Sequence, residues 1–401
     1  MPRRSTPDAA IGQRIRDRRK LLKLTVRVVA DLAGIHHSTL SRIERGEISA
    51  DNRFTLASIA QGLRCPVTDL TGQPAAPVDH GDAQVSGSVY ETLRAVIEAD
   101  LQYRPAQADA LPITALTHEL DLIRDLRARC DYAGATTRIP SLLRGLHLAA
   151  YGSERAEALR ALVIAEDTAS FVVRYAGNPA AACLVADRAQ QAAEALDQPV
   201  MLGLAAFARS HAATGCGLYE RALTIADHAA RDLEAHTNLP DGREMLGQLY
   251  MTQAYALYAL GRAEDAMEPV ALAERIAADT GDSDALRLMF GPTNINFWRI
   301  AMEADGDSPG RAVEIARGTT PHAVDSISRQ FAFYSDTGRA LARTGRDAEA
   351  LRMLLAADRL APQRMRNPIM VETVRSLLER SRRGTGWTEL RGLCERLGIG
   401  S

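Results

Sequence analysis

A short polar stretch near the start of the chain, AGIHHSTLSRIERGE at residues 33–47, surrounds two aliphatic residues with histidine, hydroxyl and charged side chains. Such a stretch could bind a metal, form an ordinary solvated helix, or contact another molecule. On a helix, His36 and His37 point about 100° apart, and the sequence offers no cysteine or third histidine nearby, so a zinc site is disfavoured. We predict no metal site and no cofactor, and the flanking elements decide between the remaining alternatives.

Those flanking residues predict five short helices. The Thr25 hydroxyl suits the N-cap of a second helix, Gly34 suits the turn after it, and Gly46 suits a left-handed stop. Leu40 and Ile43 then face inward, which leaves the polar side chains of the third helix outside. The predicted elements are helix 1 over residues 8–22, helix 2 from Thr25, helix 3 over 37–45, helix 4 with the apolar stripe Leu56, Ile59 and Leu63, and helix 5 from Pro66 to Leu70.

Charge is distributed unevenly between the N-terminal segment 1–72 and the rest of the chain. The N-terminal segment holds 13 Lys and Arg against 7 Asp and Glu, whereas the remainder holds 35 against 43. A basic segment on an acidic body indicates that this segment alone meets a polyanion. With 46% hydrophobic and 24% charged residues, no signal-peptide pattern and no stretch of about 18 apolar residues, we expect a cytoplasmic globular protein.

The chain is predicted to be all-α, with three parts. Residues 1–72 form the basic helical domain, the Pro- and Gly-rich residues 73–88 form a linker or hinge, and residues 89–401 form a body of repeated helix pairs. In that body a turn glycine followed by an amphipathic helix recurs at nearly even spacing. The glycines are Gly177, Gly217, Gly261, Gly306 and Gly345.

Catalytic motifs are not found in this sequence, so we predict that the protein is not an enzyme. The five cysteines are scattered and show no metal-binding spacing, and we expect reduced thiols, most of them packed in the core. The remaining histidines are expected on helix surfaces or satisfied in the core: His118, His147, His211, His228, His236 and His322.

The phrase STLSRIERGE, with Thr25 and Gly34 before it, resembles the lambda-repressor-like (XRE) helix-turn-helix domain, and the resemblance extends over most of the basic segment. It implies that helix 3 enters the major groove of a double-stranded DNA operator. It places base contacts at His37, Ser38 and Arg42, with His36, Thr39 and Ser41 beside them, and phosphate contacts at Arg14, Thr25, Arg45 and Arg53.

Two further positions match a structural pair of that family. The resemblance implies that Arg19 and Glu44 form an internal ion pair between helices 1 and 3, rather than DNA contacts. The sequence departs from the family at Val26, where glutamine is usual, at Lys23, where glycine is usual, and at His36, where a Ser or Thr cap is usual.

One segment of the body, LRLMFGPTNINFWRIAMEADGD at residues 286–307, interrupts the helical pattern. Pro292 must kink a helix or begin a new one. Asn294 follows it, with aromatic residues three and four positions away, and could hold a peptide backbone amide between apolar walls. The alternative is that the aromatic residues are core and Asn294 caps a restarted helix. The predicted ligand-binding residues are Asn294, Phe290, Phe297, Trp298 and, further upstream, Arg287.

The body resembles tetratricopeptide repeats, which stack into a superhelix whose concave face binds peptides. The whole plan is similar to actinobacterial XRE regulators and, more distantly, to Gram-positive peptide-pheromone receptors. These resemblances predict a homodimeric transcription regulator whose body senses a short peptide or other small effector. Two alternatives remain open: a DNA-tethered scaffold for a protein partner, and a body used only for dimerisation.

Overall fold

The computed structural model is built from α-helices, which confirms the all-α fold class. It describes residues 11–73, 80–99, 111–380 and 386–399. Within these ranges the β-type pairing is limited to one isolated antiparallel bridge between Ser283 and Phe290. The chain divides into two compact units, which we call unit 1 (Met1–Ala75, Asn296–Ala323 and Arg329–Ser401) and unit 2 (Ala76–Ile295 and Val324–Ser328).

Unit 1 begins with the five short helices that the sequence predicts. Thr25 caps α2 by accepting a hydrogen bond from the Val28 amide at 3.2 Å. Gly34 and Gly46 adopt positive φ angles of 65° and 73°, which end α2 and α3 without steric strain. The helices are α1 (Ile11–Leu21), α2 (Val26–Leu32), α3 (His37–Glu44), α4 (Arg53–Gly62) and α5 (Val67–Thr71). The predicted start of the first helix, at positions 8–10, lies outside the described residues.

A single apolar core joins these five helices, which we call the head. Ile15, Leu40 and Ile59 are fully buried in it, one each from α1, α3 and α4. Ile369 from the C-terminal part of unit 1 packs against the same core. The head is therefore built into unit 1 together with helices that follow it much later in the chain.

Those later helices complete unit 1. They are the larger part of α15 (Pro292–Asp305), α16 (Pro309–Arg317), α17 (Ile327–Arg343), α18 (Asp347–Leu360), α19 (Pro362–Met365), α20 (Pro368–Arg380) and α21 (Trp387–Arg396), with a 3-10 turn at Pro321–Ala323.

Unit 2 contains a row of four helices: α7 (Ile113–Ala128), α9 (Arg155–Tyr175), α11 (Pro199–Gly215) and α13 (Gly242–Ala259). Each contacts the next in this row, and each also packs against the helix that follows it in the chain. We call these four helices the first row. The helices of unit 2 are α6 (His80–Glu98), α7 (Ile113–Ala128), α8 (Tyr132–Ala149), α9 (Arg155–Tyr175), α10 (Pro179–Leu196), α11 (Pro199–Gly215), α12 (Tyr219–Glu234), α13 (Gly242–Ala259) and α14 (Met267–Thr280), with a 3-10 turn at Ala285–Arg287.

Small residues allow close packing between successive helices of unit 2. Ala182, Ala186, Ala189 and Ala193 form one fully buried stripe of α10, which packs between α9 and α11. The turn glycines at 177, 217, 261 and 345 have positive φ angles, as expected of residues that reverse the chain between paired helices, whereas Gly306 does not. The tetratricopeptide character of the repeats stays a prediction.

Two sequence expectations about irregular segments can be compared with the structure. Residues 80–88 of the predicted linker lie in α6 rather than in irregular chain, and residues 74–79 fall outside the described residues. At Pro292 the chain begins a new helix, α15, directly after Gly291, whose φ angle is 154°. The proline therefore takes the first helical position, where its missing N–H costs no hydrogen bond.

Candidate DNA-binding surface and effector site

Helix α3 presents a polar surface on one side and packs on the other. Leu40 and Ile43 are buried in the head, whereas His37, Ser38 and Arg42 are exposed. Thr39 and Ser41 are half-buried beside them. The exposed residues supply an imidazole, a hydroxyl and a guanidinium, all of which can hydrogen-bond base edges in a major groove.

His36 fixes the start of this helix. Its Nδ1 accepts a hydrogen bond from the Ser38 amide at 3.3 Å and lies 2.7 Å from the Ser38 hydroxyl. Because an amide nitrogen can only donate, the ring proton of a neutral His36 lies on Nε2. His36 therefore replaces the usual Ser or Thr cap and also orients Ser38, one of the predicted base-contacting residues.

Arg19 and Glu44 connect α1 to α3 beneath that surface. Two guanidinium nitrogens of Arg19 donate to the two Glu44 oxygens at 2.6 Å each, and a third donates to the Leu24 carbonyl at 2.9 Å. Glu44 is buried, and its hydrogen bond raises the pKa of Arg19. This bidentate pair is buried in the head and holds α1 against α3.

Three of the predicted phosphate-contacting residues interact with nearby groups of the head. The Arg14 guanidinium donates to the Thr71 carbonyl at 3.2 Å, at the end of α5. Arg45 remains exposed while it contacts Glu47 at 2.5 Å and the Ser41 hydroxyl at 2.8 Å. Thr25 is exposed as well as capping α2. Arg45 and Thr25 thus stay accessible from outside.

Arg53 has a different environment from the one predicted. Its Nε contacts Asp305 at 2.5 Å and its Nη2 contacts Asp336 at 2.9 Å, both within unit 1. Its backbone amide and the Asn52 side chain also donate to Asp305, at 3.0 and 2.6 Å. Two carboxylates thus pair with the guanidinium for which a phosphate contact was expected, and that phosphate contact stays a prediction.

A second arginine completes this network. Arg339 is fully buried and donates to Asp305, to Asp336 at 3.0 Å and to the Asp51 carbonyl at 2.5 Å. Burial alone raises the pKa of the Asp305 carboxyl, but Arg339 and Arg53 outweigh it and hold that pKa well below its usual range. Two guanidiniums and two carboxylates give a neutral set, which we call the head clasp (Arg53, Asp305, Asp336 and Arg339).

The predicted ligand residues around Pro292 are packed inside the protein. Phe290 is 1% exposed, Phe297 5% and Trp298 8%, which agrees with the alternative that they are core residues. Phe290 and Asn294 belong to unit 2, and the other two belong to unit 1. Asp282, rather than Asn294, caps α15 by accepting from the Thr293 amide and hydroxyl at 3.0 and 2.7 Å. Asn294 is 1% exposed, and its Oδ1 is buried without a hydrogen-bond partner.

Arg287 contacts α7 of the same unit. Its guanidinium lies 2.6 Å from Asp125 and 3.1 Å from Asp121, and Arg124 donates to the neighbouring Leu286 carbonyl at 2.5 Å. Burial, together with the charges of Arg287 and Arg127, lowers the pKa of Arg124 to about 10. This end of the first row is thus crowded with guanidinium groups.

A group of aromatic and basic side chains lies next to these arginines, on α7, α9 and α11. Arg127 is 4.2 Å from the ring centre of Phe171, which stacks on Phe207 at 5.9 Å. His211 is 4.8 Å from both phenylalanine rings, and its Nδ1 lies 2.9 Å from an Arg174 nitrogen. We call this set the aromatic cluster: Arg127, Phe171, Arg174, Tyr175, Phe207 and His211.

The aromatic cluster was not predicted from the sequence, and His211 was expected to be an isolated histidine. A signal was present, because Phe171 and Tyr175 on α9 are matched by Phe207 and His211 on α11. The same i, i+4 spacing on successive helices of one row places both pairs on the same face. On this face two guanidiniums lie against aromatic rings, and Arg127 also pairs with the buried Asp167 at 3.3 Å.

Comparisons with known proteins give one match to a domain family. Residues 10–71 match the model of the helix-turn-helix domain, so the head is a helix-turn-helix DNA-binding domain. No curated protein matches this sequence. Among solved structures, the crystal structure of Bacillus thuringiensis PlcR in complex with the peptide PapR7 and DNA is similar at 17% identity, over 87% of this chain and 98% of that chain, with a TM-score of 0.37. None of the described helices is long and apolar enough to cross a membrane.

Proposed function

We propose that this protein is a sequence-specific transcription regulator that binds operator DNA through α3 and responds to a small effector bound in unit 2. The observation that supports DNA binding is the exposure of His37, Ser38 and Arg42 on the face of α3 opposite its buried leucine and isoleucine. Arg45 and Thr25, also exposed, are the phosphate contacts of this proposal. Arg53 is excluded from it because it belongs to the head clasp.

A homodimer is part of the proposal. One helix-turn-helix head contacts a short stretch of major groove, whereas two heads bind half-sites about one helical turn, roughly 34 Å, apart. Operators selected from random DNA by the full-length protein are therefore expected to be two-fold symmetric.

Two arginine variants separate base recognition from phosphate binding. Arg42→Ala should cost about 1–3 kcal/mol on the selected operator and relax preference at one base pair of each half-site. Arg45→Ala should lower the affinity for all DNA sequences alike and should reduce the salt dependence of binding by about one counterion per head. Fluorescence anisotropy with the operator and with single-base variants, at several salt concentrations, measures both. Equal weakening across all sequences by Arg42→Ala would contradict its role.

For the effector, we propose the aromatic cluster as the site and a short peptide, or another small molecule with a carboxylate, as the ligand. Arg127 and Arg174 offer cations beside the rings. Arg127 has 18% of its side chain accessible and pairs with Asp167 at 3.3 Å, so a ligand carboxylate would compete with Asp167 for this guanidinium. Phe171 and Phe207 are buried, so the ligand would contact the half-buried Tyr175 and His211. A partly buried guanidinium interacts more strongly with a carboxylate than an exposed one does. The class of ligand follows from that pairing of charge and aromatic surface.

A synthetic library of linear penta- to octapeptides tests this site. At least one peptide with a free carboxyl terminus should change the operator affinity of the full-length protein, and its C-terminal amide should act more weakly. Arg127→Gln should remove the response, whereas Arg138→Gln, an exposed arginine of α8, should retain it. A response that is unchanged in Arg127→Gln, or no response to any peptide, would disprove the effector site while leaving DNA binding untouched.

A further inference from the structure

Packing of α10 against α11 brings together two cysteines that are distant in the sequence. Cys183 lies in the first turns of α10, and Cys216 is the residue that caps the C-terminal end of α11. Their Sγ atoms are 3.7 Å apart, and both side chains are half-buried. A disulfide needs an Sγ–Sγ distance of about 2.05 Å, so the two sulfur atoms would have to approach each other by roughly 1.7 Å to form a bond.

The two sulfur atoms differ in their surroundings. Hydrogen bonding with Cys183 lowers the pKa of the Cys216 thiol, burial opposes that change, and the nearby charge of Arg174 assists it. The same hydrogen bond, together with burial, raises the pKa of Cys183. Gly215 makes room for this arginine, because a Cβ atom at position 215 would lie 3.0 Å from Arg174 Cδ. The charge of Arg174 therefore favours thiolate character at Cys216, whereas Asp187 disfavours it at Cys183.

The other cysteines lack this combination. Burial raises the pKa of Cys65 and of Cys394, and Cys130 is buried. Cys183 and Cys216, by contrast, are half-buried and touch each other. The pair thus joins three features of an oxidation site: a sulfur with thiolate character, a second sulfur within reach, and partial access to solvent.

We propose that Cys183 and Cys216 form an oxidation site for hydroperoxides, in which Cys216 reacts first and Cys183 then converts it to an intramolecular disulfide. The Cys216 sulfur bonds to one peroxide oxygen as the O–O bond breaks, and the leaving oxygen takes up a proton and departs as water. The Cys183 sulfur then bonds to the Cys216 sulfur as the S–O bond breaks, and the hydroxyl group leaves as a second water with the Cys183 proton. Two thiols are oxidised by two electrons in total, and one hydrogen peroxide is reduced to two waters.

The disulfide would cross-link α10 to α11 next to Arg174, which belongs to both this site and the aromatic cluster. The inference is independent of the proposed effector, since it depends on the sulfur contact and not on any ligand. Oxidation would restrict movement of α10 against α11, the helix that carries Phe207 and His211 of the aromatic cluster.

The test uses the reduced full-length protein, hydrogen peroxide and a sulfenic-acid trapping reagent such as dimedone. Peroxide should remove two free thiols per chain, and peptide mapping should find a Cys183–Cys216 disulfide. The Cys183→Ser variant should accumulate trapped sulfenic acid at Cys216, and Cys183→Ala should do the same. Cys216 in Cys183→Ser, whose hydroxyl can still donate to the Cys216 sulfur, should react roughly tenfold faster than Cys65, whereas in Cys183→Ala, which removes that donor, the advantage should shrink.

Cys65→Ser is the matched control, because this half-buried cysteine has no thiol partner among the described contacts. Its oxidation product should be the same disulfide as in the unaltered protein. The proposal is wrong if both thiols of the pair survive peroxide while Cys65 is oxidised, if sulfenic acid forms on Cys183 of Cys216→Ser as fast as on Cys216 of Cys183→Ser, or if the disulfide joins two chains.

Discussion

Asp305 in unit 1 and Glu166 in unit 2 are both deeply buried carboxylates, yet their pKa values shift in opposite directions. Burial raises the pKa of each group, because an ionised carboxylate loses its hydration. Asp305 overcomes this cost with two guanidiniums, from Arg339 and Arg53, and its pKa ends below the usual range. Glu166 contacts the single imidazole of His147 at 3.2 Å, and its pKa stays raised.

The comparison shows that two permanent cations, and not burial or hydrogen bonding alone, decide whether a deep carboxylate remains charged. In unit 2, Glu166 Oε2 and His147 Nδ1 are buried without hydrogen-bond partners. In unit 1, both Asp305 oxygens accept hydrogen bonds from guanidinium or amide groups. A carboxylate with a lowered pKa thus attaches the head to later helices, whereas a carboxylate with a raised pKa lies inside unit 2.

The largest effect is expected from Asp305→Asn. Removing this charge leaves the fully buried Arg339 short of its main partner, and breaking a buried pair typically costs about 3–5 kcal/mol. Urea denaturation of the full chain, with unfolding of the head as the monitored signal, measures this loss in the free energy of unfolding. Asp307→Asn, an exposed aspartate two positions further on, should change the free energy of unfolding by less than about 0.5 kcal/mol. Equal effects of the two variants would remove the basis of the comparison.

An intermediate effect, of opposite sign, is expected from Glu166→Gln as the pH rises. Because the folded pKa of Glu166 is raised, its contribution to stability is present below the unfolded pKa of about 4.3 and is lost as the pH rises through the folded value. The free energy of unfolding of the glutamine variant should therefore rise relative to that of the unaltered protein as the pH increases above about 4.3, by about 1.4 kcal/mol for each unit of pKa shift. Urea denaturation across that pH range measures the gain.

Asp305 should show the reverse dependence on pH. Its folded pKa is lowered, so its contribution is complete above about pH 4 and is lost as the pH falls further. The difference between Asp305→Asn and the unaltered protein should therefore shrink in acid. Glu157→Gln, an exposed glutamate of α9, serves as the control for position 166 and should show no gain with pH. A loss of stability for Glu166→Gln at about pH 8 as large as that of Asp305→Asn would contradict the comparison.

The smallest effect is expected from Arg287→Ala. This arginine also meets two carboxylates, Asp121 and Asp125, but those side chains are more than half exposed. Solvent screens such pairs, so the loss should be no more than about 1 kcal/mol by thermal or urea denaturation. Arg243→Ala, which breaks an exposed pair with Asp279, should cost a similar amount. A cost near that of Asp305→Asn would show that exposure does not separate the two kinds of pair.

Local signals in the sequence predicted most of the head. Thr25, Gly34 and Gly46 fix the ends of α2 and α3 through interactions with their own neighbours, and such signals can be recognised in a single sequence. The alternation of small residues and turn glycines likewise predicted the helical body, because each helix pair is a local unit.

The head clasp could not be predicted in the same way. Arg53 and its partner Asp305 are far apart in the sequence, and Asp305 lies in a Gly- and Asp-rich stretch that is typical of an exposed turn. The aromatic cluster was missed for a related reason, since each aromatic residue alone is typical of a helix core. The equal spacing between Phe171 and Tyr175 and between Phe207 and His211 becomes informative once the row of helices is known.

The contacts of Asp51, Asn52 and Arg53 with the C-terminal part of unit 1 also determine whether the head can be transferred to another protein. Arg339 donates to the Asp51 carbonyl, and Thr373 donates to the Asp51 side chain at 2.8 Å. A head excised after Gly72 would lose these partners and expose the apolar surface that Ile369 covers. Transplanting it onto another sensor would therefore need substitutions at these positions, although the α3 surface that we propose contacts DNA would be transferred unchanged.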